Sequence, residues 1–223
     1  MAPLSKYLRG EDPRQLLEKK MRAERRLPPG QSASVKWPVL HAGEVPAFDP
    51  ATWSFRTWGL VETPLELAWD AFAALPRKEV VTDFHCVTRW STFDNRWQGV
   101  PVREVLARTR PAPAARYVMA LGHLGDDRHG YSTNVPLADL DRDETLLVTG
   151  HNGEPLDPEH GGPLRLLVPH LYAWKSCKWI RALVFMDRDQ PGYWEGYGYH
   201  MRGDPWREER HGRSPAFNYL TTS

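Results

Sequence analysis

Cysteine is scarce: Cys86 and Cys177 are the only two among 223 residues. They could form one disulfide at most, which excludes a secreted scaffold stapled by several bridges. Neither charge sign dominates. Twenty-nine Lys and Arg against 28 Asp and Glu leave a net charge of +1, too little for the concentrated basic footprint of a nucleic-acid binder. No run reaches the roughly 18 apolar residues of a membrane-spanning helix. Residues 1–10 lack the apolar centre of an export signal, and Arg25-Arg26 leads into Leu27-Pro28-Pro29-Gly30 rather than an apolar stretch. The expected location is therefore the cytoplasm, with both thiols reduced. Repeats and low-complexity tracts are also missing, which excludes solenoids.

Turns and aromatics are plentiful. Twenty prolines and 17 glycines break the chain into short elements, and ten tryptophans suit a core beside a large ligand as well as a merely Trp-rich core. Asp12-Pro13-Arg14-Gln15 reads as a helix start, with an acidic cap and Pro at the first helical position, and the helix is expected to run to about Arg26. Its basic face is a solvated surface or a docking site for an acidic partner. Strands are expected over residues 53–61, 79–84, 116–121, 145–149, 165–168 and 178–186, and Asn152-Gly153 is a hairpin-turn signal. Thr63-Pro64-Leu65-Glu66 has the form of a capping box, predicting a helix from there to Pro76, and a second helix is expected over residues 99–109. Residues 122–130 read as a loop, and the tail beyond Asp187 as turn-rich with little periodicity. Strands outnumber helices and alternate with them irregularly, so the fold class is mixed α+β. The expected division is an N-terminal helical extension over residues 1–30, one domain over 31–210 and a tail over 211–223.

Three stretches concentrate chemistry. In Asp83-Phe84-His85-Cys86-Val87-Thr88-Arg89-Trp90-Ser91, a strand delivers a thiol flanked by His and Arg, where a thiolate would be stabilised; a packed core cysteine is the alternative. In His160-Gly161-Gly162-Pro163-Leu164-Arg165, paired glycines allow close backbone approach to a ligand, and Arg165 offers a planar fork for phosphate. Trp174-Lys175-Ser176-Cys177-Lys178-Trp179 puts two lysines and a hydroxyl within four residues, suited either to an anion or to a basic strand edge that discourages aggregation.

In order, these stretches and Gly130-Tyr131-Ser132-Thr133-Asn134-Val135-Pro136-Leu137 resemble the bacterial sulfite-oxidase-like molybdopterin oxidoreductases, from about Leu27 to Arg210. The resemblance implies a mixed, β-rich sulfite-oxidase fold and a molybdenum-molybdopterin cofactor. It implies that Cys86 is the metal ligand and that His41, His160, Arg165, Ser176 and Lys178 contact the cofactor. Tyr131 would stand beside the reacting oxygen, and Arg89 and His123 would attract an anionic substrate. Sulfite oxidases carry an arginine pair beyond the metal cysteine; here Arg89 stands alone, which argues against sulfite itself. The implied reaction is a two-electron redox step, an oxygen-atom transfer to or from a small oxyanion or S/N-oxide. Without a haem or dimerisation domain in the sequence, electrons are expected to pass to or from a separate partner protein. Cys177 is expected to be a structural thiol. Two other readings stand: a zinc hydrolase using Cys86 with His85, His123 or His129, and a carrier that binds molybdopterin without turnover.

Overall fold

The computed structural model describes residues 12–122 and 131–212. Its strands are β1 (Ser32–Ala33), β2 (Ser54–Gly59), β3 (Leu65–Ala68), β4 (Lys78–His85), β5 (Trp90–Pro101), β6 (Tyr117–Leu121), β7 (Ser132–Pro136), β8 (Leu146–His151), β9 (Glu154–Pro155), β10 (Arg165–Leu167) and β11 (Ala182–Met186). Five short helices accompany them: α1 (Pro13–Ala23), α2 (Trp69–Ala73), α3 (Val102–Thr109), α4 (Leu137–Leu140) and α5 (Tyr193–Gly196). The class is mixed α+β, as expected.

One sheet runs β1-β5-β8-β10, with β4 added on β5 and β9 on β8; the other runs β3-β2-β11-β6-β7. A large apolar core, including Phe55, Phe72, Leu147, Leu166 and Phe185, draws from both sheets. A second cluster, built on Phe84, Trp97, Leu146, Val148 and Leu167, packs with the half-buried Trp37 and Trp90.

Several expected elements stand with adjusted ends. Asp12 caps α1 by accepting from the Arg14 amide at 2.9 Å, and the helix stops at Ala23 rather than at Arg26. Asn152 and Gly153 both take positive φ and turn β8 into β9. Residues 178–181 precede β11 as irregular chain rather than opening it. The capping box is overturned: Leu65–Ala68 is a strand, and α2 begins only at Trp69. The Leu65 amide donates to the Thr57 hydroxyl at 3.0 Å, and Arg56 pairs across the strands with Glu66 at 2.6 Å. Pairing with β2 thus satisfies a backbone that a helix start would leave with orphan donors.

Candidate active site

Strand β4 ends at His85, and the next four residues form the turn into β5. The Cys86 amide donates to the Trp90 carbonyl at 2.9 Å, and the Arg89 amide donates to the Cys86 carbonyl at 3.0 Å. Arg89 takes φ 76, a left-handed conformation that costs a non-glycine residue on the order of 1 kcal/mol and is tolerated where the turn bonds fix it. Cys86 is thereby held at the wall of a cavity of about 570 Å³, 6% exposed. Burial pushes its thiol up; the Thr88 hydroxyl, donating to Sγ at 3.2 Å, and the charges of Arg165 and Arg210 act in the other direction.

Arg165 enters the same cavity from β10. Its guanidinium lies 5.0 Å from the Phe84 ring centre and 5.5 Å from that of Trp37. It donates to the carbonyls of His160 (2.7 Å) and Ala173 (3.5 Å), while its buried Nε has no partner. No carboxylate among the described residues pairs with it, and burial lowers its pKa to about 10. Lys178 is 6% exposed; its ammonium donates to the Glu159 carbonyl at 2.6 Å and lies 5.6 Å from the Trp179 ring. Burial, followed by the charge of Arg165, brings it down to about 7. The Ser176 hydroxyl accepts from the Val168 amide at 2.9 Å, leaving its own proton to donate. Gly161, at φ 112, approaches Lys178 so closely that a Cβ would meet its side chain at 3.0 Å, so that position needs glycine.

His160 stacks on Trp37 at 3.8 Å and 12°, with Nδ1 buried and unpartnered. Burial, then the charges of Arg165 and Lys178, lowers it to about 4, so its imidazole is neutral near pH 7. Tyr131 accepts at its hydroxyl from Trp194 Nε1 at 3.4 Å and stacks on Tyr193 at 5.8 Å. Burial raises it to about 12, which keeps the phenol a hydrogen-bond donor. Trp174, Trp194 and Tyr199 supply further aromatic wall.

Six of the expected residues therefore share one cavity: Cys86, Tyr131, His160, Arg165, Ser176 and Lys178. Two do not line it. Arg89 is exposed, and its guanidinium donates to the Gly30 carbonyl at 3.4 Å, so its part is to close the turn. His41 packs edge-on against Trp179 at 5.2 Å, with Nδ1 3.1 Å from the Gly43 carbonyl; Pro38 and Leu40 line the cavity in its place. His123 and His129 lie outside the described residues. Sequence reasoning missed the wall residues Trp37, Trp174, Trp194 and Tyr199, for which the high tryptophan count was the available signal.

Two buried cations with no ion-paired carboxylate among the described residues, together with the orphaned Arg165 Nε and His160 Nδ1, suit an anionic, hydrogen-bonding occupant. A molybdopterin phosphate fits that description, and a thiol on the same cavity meets the need for a soft metal donor. Zinc fits poorly, because no group of three His, Cys, Asp or Glu able to hold a metal is found among the described residues. A larger hollow of about 1500 Å³, lined by Phe48, Trp69 and Pro155 among others, holds none of the expected site residues.

Comparison with known proteins agrees with this geometry. Residues 42–194 match the family described as the oxidoreductase molybdopterin binding domain. The chain is 45% identical over 186 residues to the uncharacterized oxidoreductase YuiH of Bacillus subtilis, spanning 83% of this chain and 91% of that protein. It is 30% identical over 185 residues to the catalytic subunit MsrP of the protein-methionine-sulfoxide reductase of Ralstonia nicotianae, spanning 75% of this chain and 54% of the relative. The chain thus covers about half the length of that subunit. In fold it is similar to the sulfane dehydrogenase SoxCD of Paracoccus pantotrophus, with a TM-score of 0.60 and 23% identity over 67% of this chain and 42% of that one. The chain belongs to the sulfite-oxidase-like molybdopterin-binding oxidoreductases, and it is an enzyme of that class with a molybdenum cofactor.

Proposed function

We propose that the protein transfers an oxygen atom to or from a small S- or N-oxide or oxyanion, with Cys86 as the protein ligand to molybdenum. The observation that carries this reading is the placement of one buried thiol on the same cavity as two buried cations that form no ion pair among the described residues. When bound, the cofactor supplies a two-electron redox centre at which oxygen is gained or lost. Arg165, Lys178 and Ser176 hold its anionic part, and the neutral His160 offers Nδ1 as a further polar contact. Cys86 gives up its proton on ligation, since a coordinating thiol is deprotonated outright. Tyr131, protonated at neutral pH, donates to the substrate oxygen. Trp174, Trp194 and Tyr199 exclude water around it and raise the worth of that hydrogen bond. Arg89 does not line the cavity, so the described wall favours a neutral oxide over sulfite. Electrons come from or pass to a separate partner protein, and no helix among the described residues is long and apolar enough to cross a membrane.

Protein made in cells that synthesise the cofactor should hold about one molybdenum per chain and release a fluorescent pterin on denaturation. Stoichiometric zinc without pterin would overturn the reading. Turnover of methionine sulfoxide or dimethyl sulfoxide with a reduced viologen dye separates the enzyme from a carrier, and sulfite with an oxidising dye tests the opposite direction.

A further inference from the structure

The family match covers residues 42–194, yet the segments on either side of it meet at the turn that carries Cys86. We propose that Gln31 and Arg210 are positioning residues that fix Cys86 from behind, making residues 27–33 and 208–210 a clamp on the thiol turn. The inference rests on the reading of Cys86 as the metal ligand.

Gln31 is 1% exposed, and all of its amide is used. Nε2 donates to the Cys86 carbonyl at 2.9 Å and to the Trp90 carbonyl at 3.3 Å, the two ends of the turn, and Oε1 accepts from Arg210 Nη2 at 3.4 Å. Arg210 is 6% exposed and sits 5.0 Å from the Tyr172 ring centre. Its Nη1 donates to the Val87 carbonyl at 2.7 Å and its Nη2 to the Pro29 carbonyl at 3.3 Å. The cation therefore grips the turn one residue beyond Cys86 and ties it to the incoming N-terminal segment.

Backbone contacts extend the same grip. The Ser32 amide donates to the Arg89 carbonyl at 2.9 Å and the Ser34 amide to the Ser91 carbonyl at 2.8 Å, so β1 lies parallel to the start of β5. Arg22 from α1 donates to the Gln31 carbonyl at 3.0 Å, and Arg26 grips Asp83 with bonds of 2.9 and 2.6 Å, three residues before the thiol. Arg210 has one carboxylate at ion-pair distance, the half-exposed Glu208 at 3.8 Å, but its hydrogen bonds go elsewhere and its buried Nε has no partner; a buried cation so placed is costly unless those contacts are needed. Here every one of its acceptors lies on the Cys86 turn or on the strap that crosses it. A ligand held within a narrow range of orientations fixes the geometry and electronics of its metal, which is how residues beyond the ligand set tune such a site.

The test uses the cofactor-loaded full chain with Gln31→Leu, Arg210→Met and Arg210→Lys. Three readouts are followed: metal and pterin content, the electron-paramagnetic signal of the half-reduced metal, and amide hydrogen exchange over residues 86–90. In Gln31→Leu and Arg210→Met, content should stay at the parental level while the paramagnetic signal broadens or divides into several species. Exchange over the turn should speed up by roughly fivefold to tenfold, the factor corresponding to one hydrogen bond. Arg210→Lys should recover part of the parental signal, because it keeps the charge but reaches fewer carbonyls. A parental signal with parental exchange in both Gln31→Leu and Arg210→Met would overturn the clamp. If either variant fails to fold, exchange in the unsubstituted chain decides: the amides of Cys86 and Arg89 should be slow, and fast exchange there refutes the proposal. Cys86→Ser is the separate control. An unchanged metal signal in that variant removes Cys86 as ligand, whereas a changed one beside a parental Gln31→Leu removes only the clamp.

Discussion

Lys175 and Lys178 stand three residues apart in one segment, both almost fully buried, and they face opposite situations. Lys175 donates to Glu195 at 2.6 Å, to the Asn134 carbonyl and side chain at 2.9 and 2.8 Å, and to the Met201 carbonyl. Glu195 also accepts from the Thr133 hydroxyl at 2.9 Å and from Trp174 Nε1 at 2.8 Å. This is a direct ion pair, made through Glu195 Oε1 while the buried Oε2 has no partner, and it ties β7, α5 and the cavity-lining Trp174 together. Lys178 has one carbonyl, an aromatic face and the nearby like charge of Arg165. Burial alone therefore does not mark a functional cation. What sets Lys178 apart is that no carboxylate among the described residues pairs with it, Glu159 and Asp157 acting only through their charge.

The comparison can be broken most violently at Lys175. Lys175→Met leaves Glu195 buried and unpaired, which should cost about 3–5 kcal/mol and lower the melting temperature by about 10 °C in a domain of this size. Lys175→Met combined with Glu195→Leu should recover most of that loss, since an apolar pair carries no desolvation penalty. Calorimetry on both variants checks it; a harmless single variant would show that Glu195 is not left unpaired.

Next in size come Lys178→Ala and Arg165→Ala. Each should cut cofactor affinity roughly tenfold to a hundredfold, the worth of a charge-assisted contact, while the cofactor-free protein keeps its melting temperature or gains slightly. Pterin content after dialysis reports this. Full retention in both variants would reduce these cations to a structural edge.

A pH titration sharpens the contrast further. Lys178 titrates near 7 when folded, against 10.5 for the ordinary side chain, so between those values the unfolded chain holds more protons. The Lys178 contribution to the stability of the cofactor-free protein should therefore rise with pH from about 7, most visibly below 9 where the raised thiols of Cys86 and Cys177 do not yet oppose it, and Lys178→Met should flatten that rise. Cofactor retention should move the other way, weakening above pH 7 as the lysine loses its charge. On the acid side His85, His151 and His160 are all lowered to about 4 by burial, so stability should fall as pH drops from 6.5 to 4.

The smallest effect is expected at the second cysteine. Cys177 is 1% exposed within the main core, and burial raises its thiol to about 12. Cys177→Ser should cost on the order of 1 kcal/mol and leave dye-coupled turnover intact, whereas Cys86→Ser should keep the pterin and lose turnover. Equal activity in the two serine variants would erase the distinction between them.

What could be read from the sequence, and what could not, follows the same division between apolar and polar burial. Strand β4 and its delivery of Cys86 were legible because the β period there ends in a short chemical signature. Strands β5 and β7 were not, since polar residues occupy their inner faces. Asn95, 5% exposed, bonds to the Thr82 carbonyl and the Thr92 hydroxyl, and Thr133 and Asn134 serve the Lys175–Glu195 network. An alternation of buried polar groups looks like a loop to any reading based on hydrophobicity. Of the residues the resemblance implied, six line one cavity, whereas the side chains of Arg89 and His41 are engaged with Gly30, Gly43 and Trp179. Arg210 carried no local signal at all, because its partners lie far away in sequence.

That distance matters for how the site comes into being. The Gln31–Arg210 contact spans 179 residues, whereas the hairpin of β4 and β5 is made locally. Local pairing forms early and cheaply, while closing so long a span must wait for the intervening sheets to supply it. A ribosome releases Arg210 last among the groups that touch the turn. The thiol therefore sits on a hairpin that can form locally, while the backing behind it has to wait until the two ends of the domain meet.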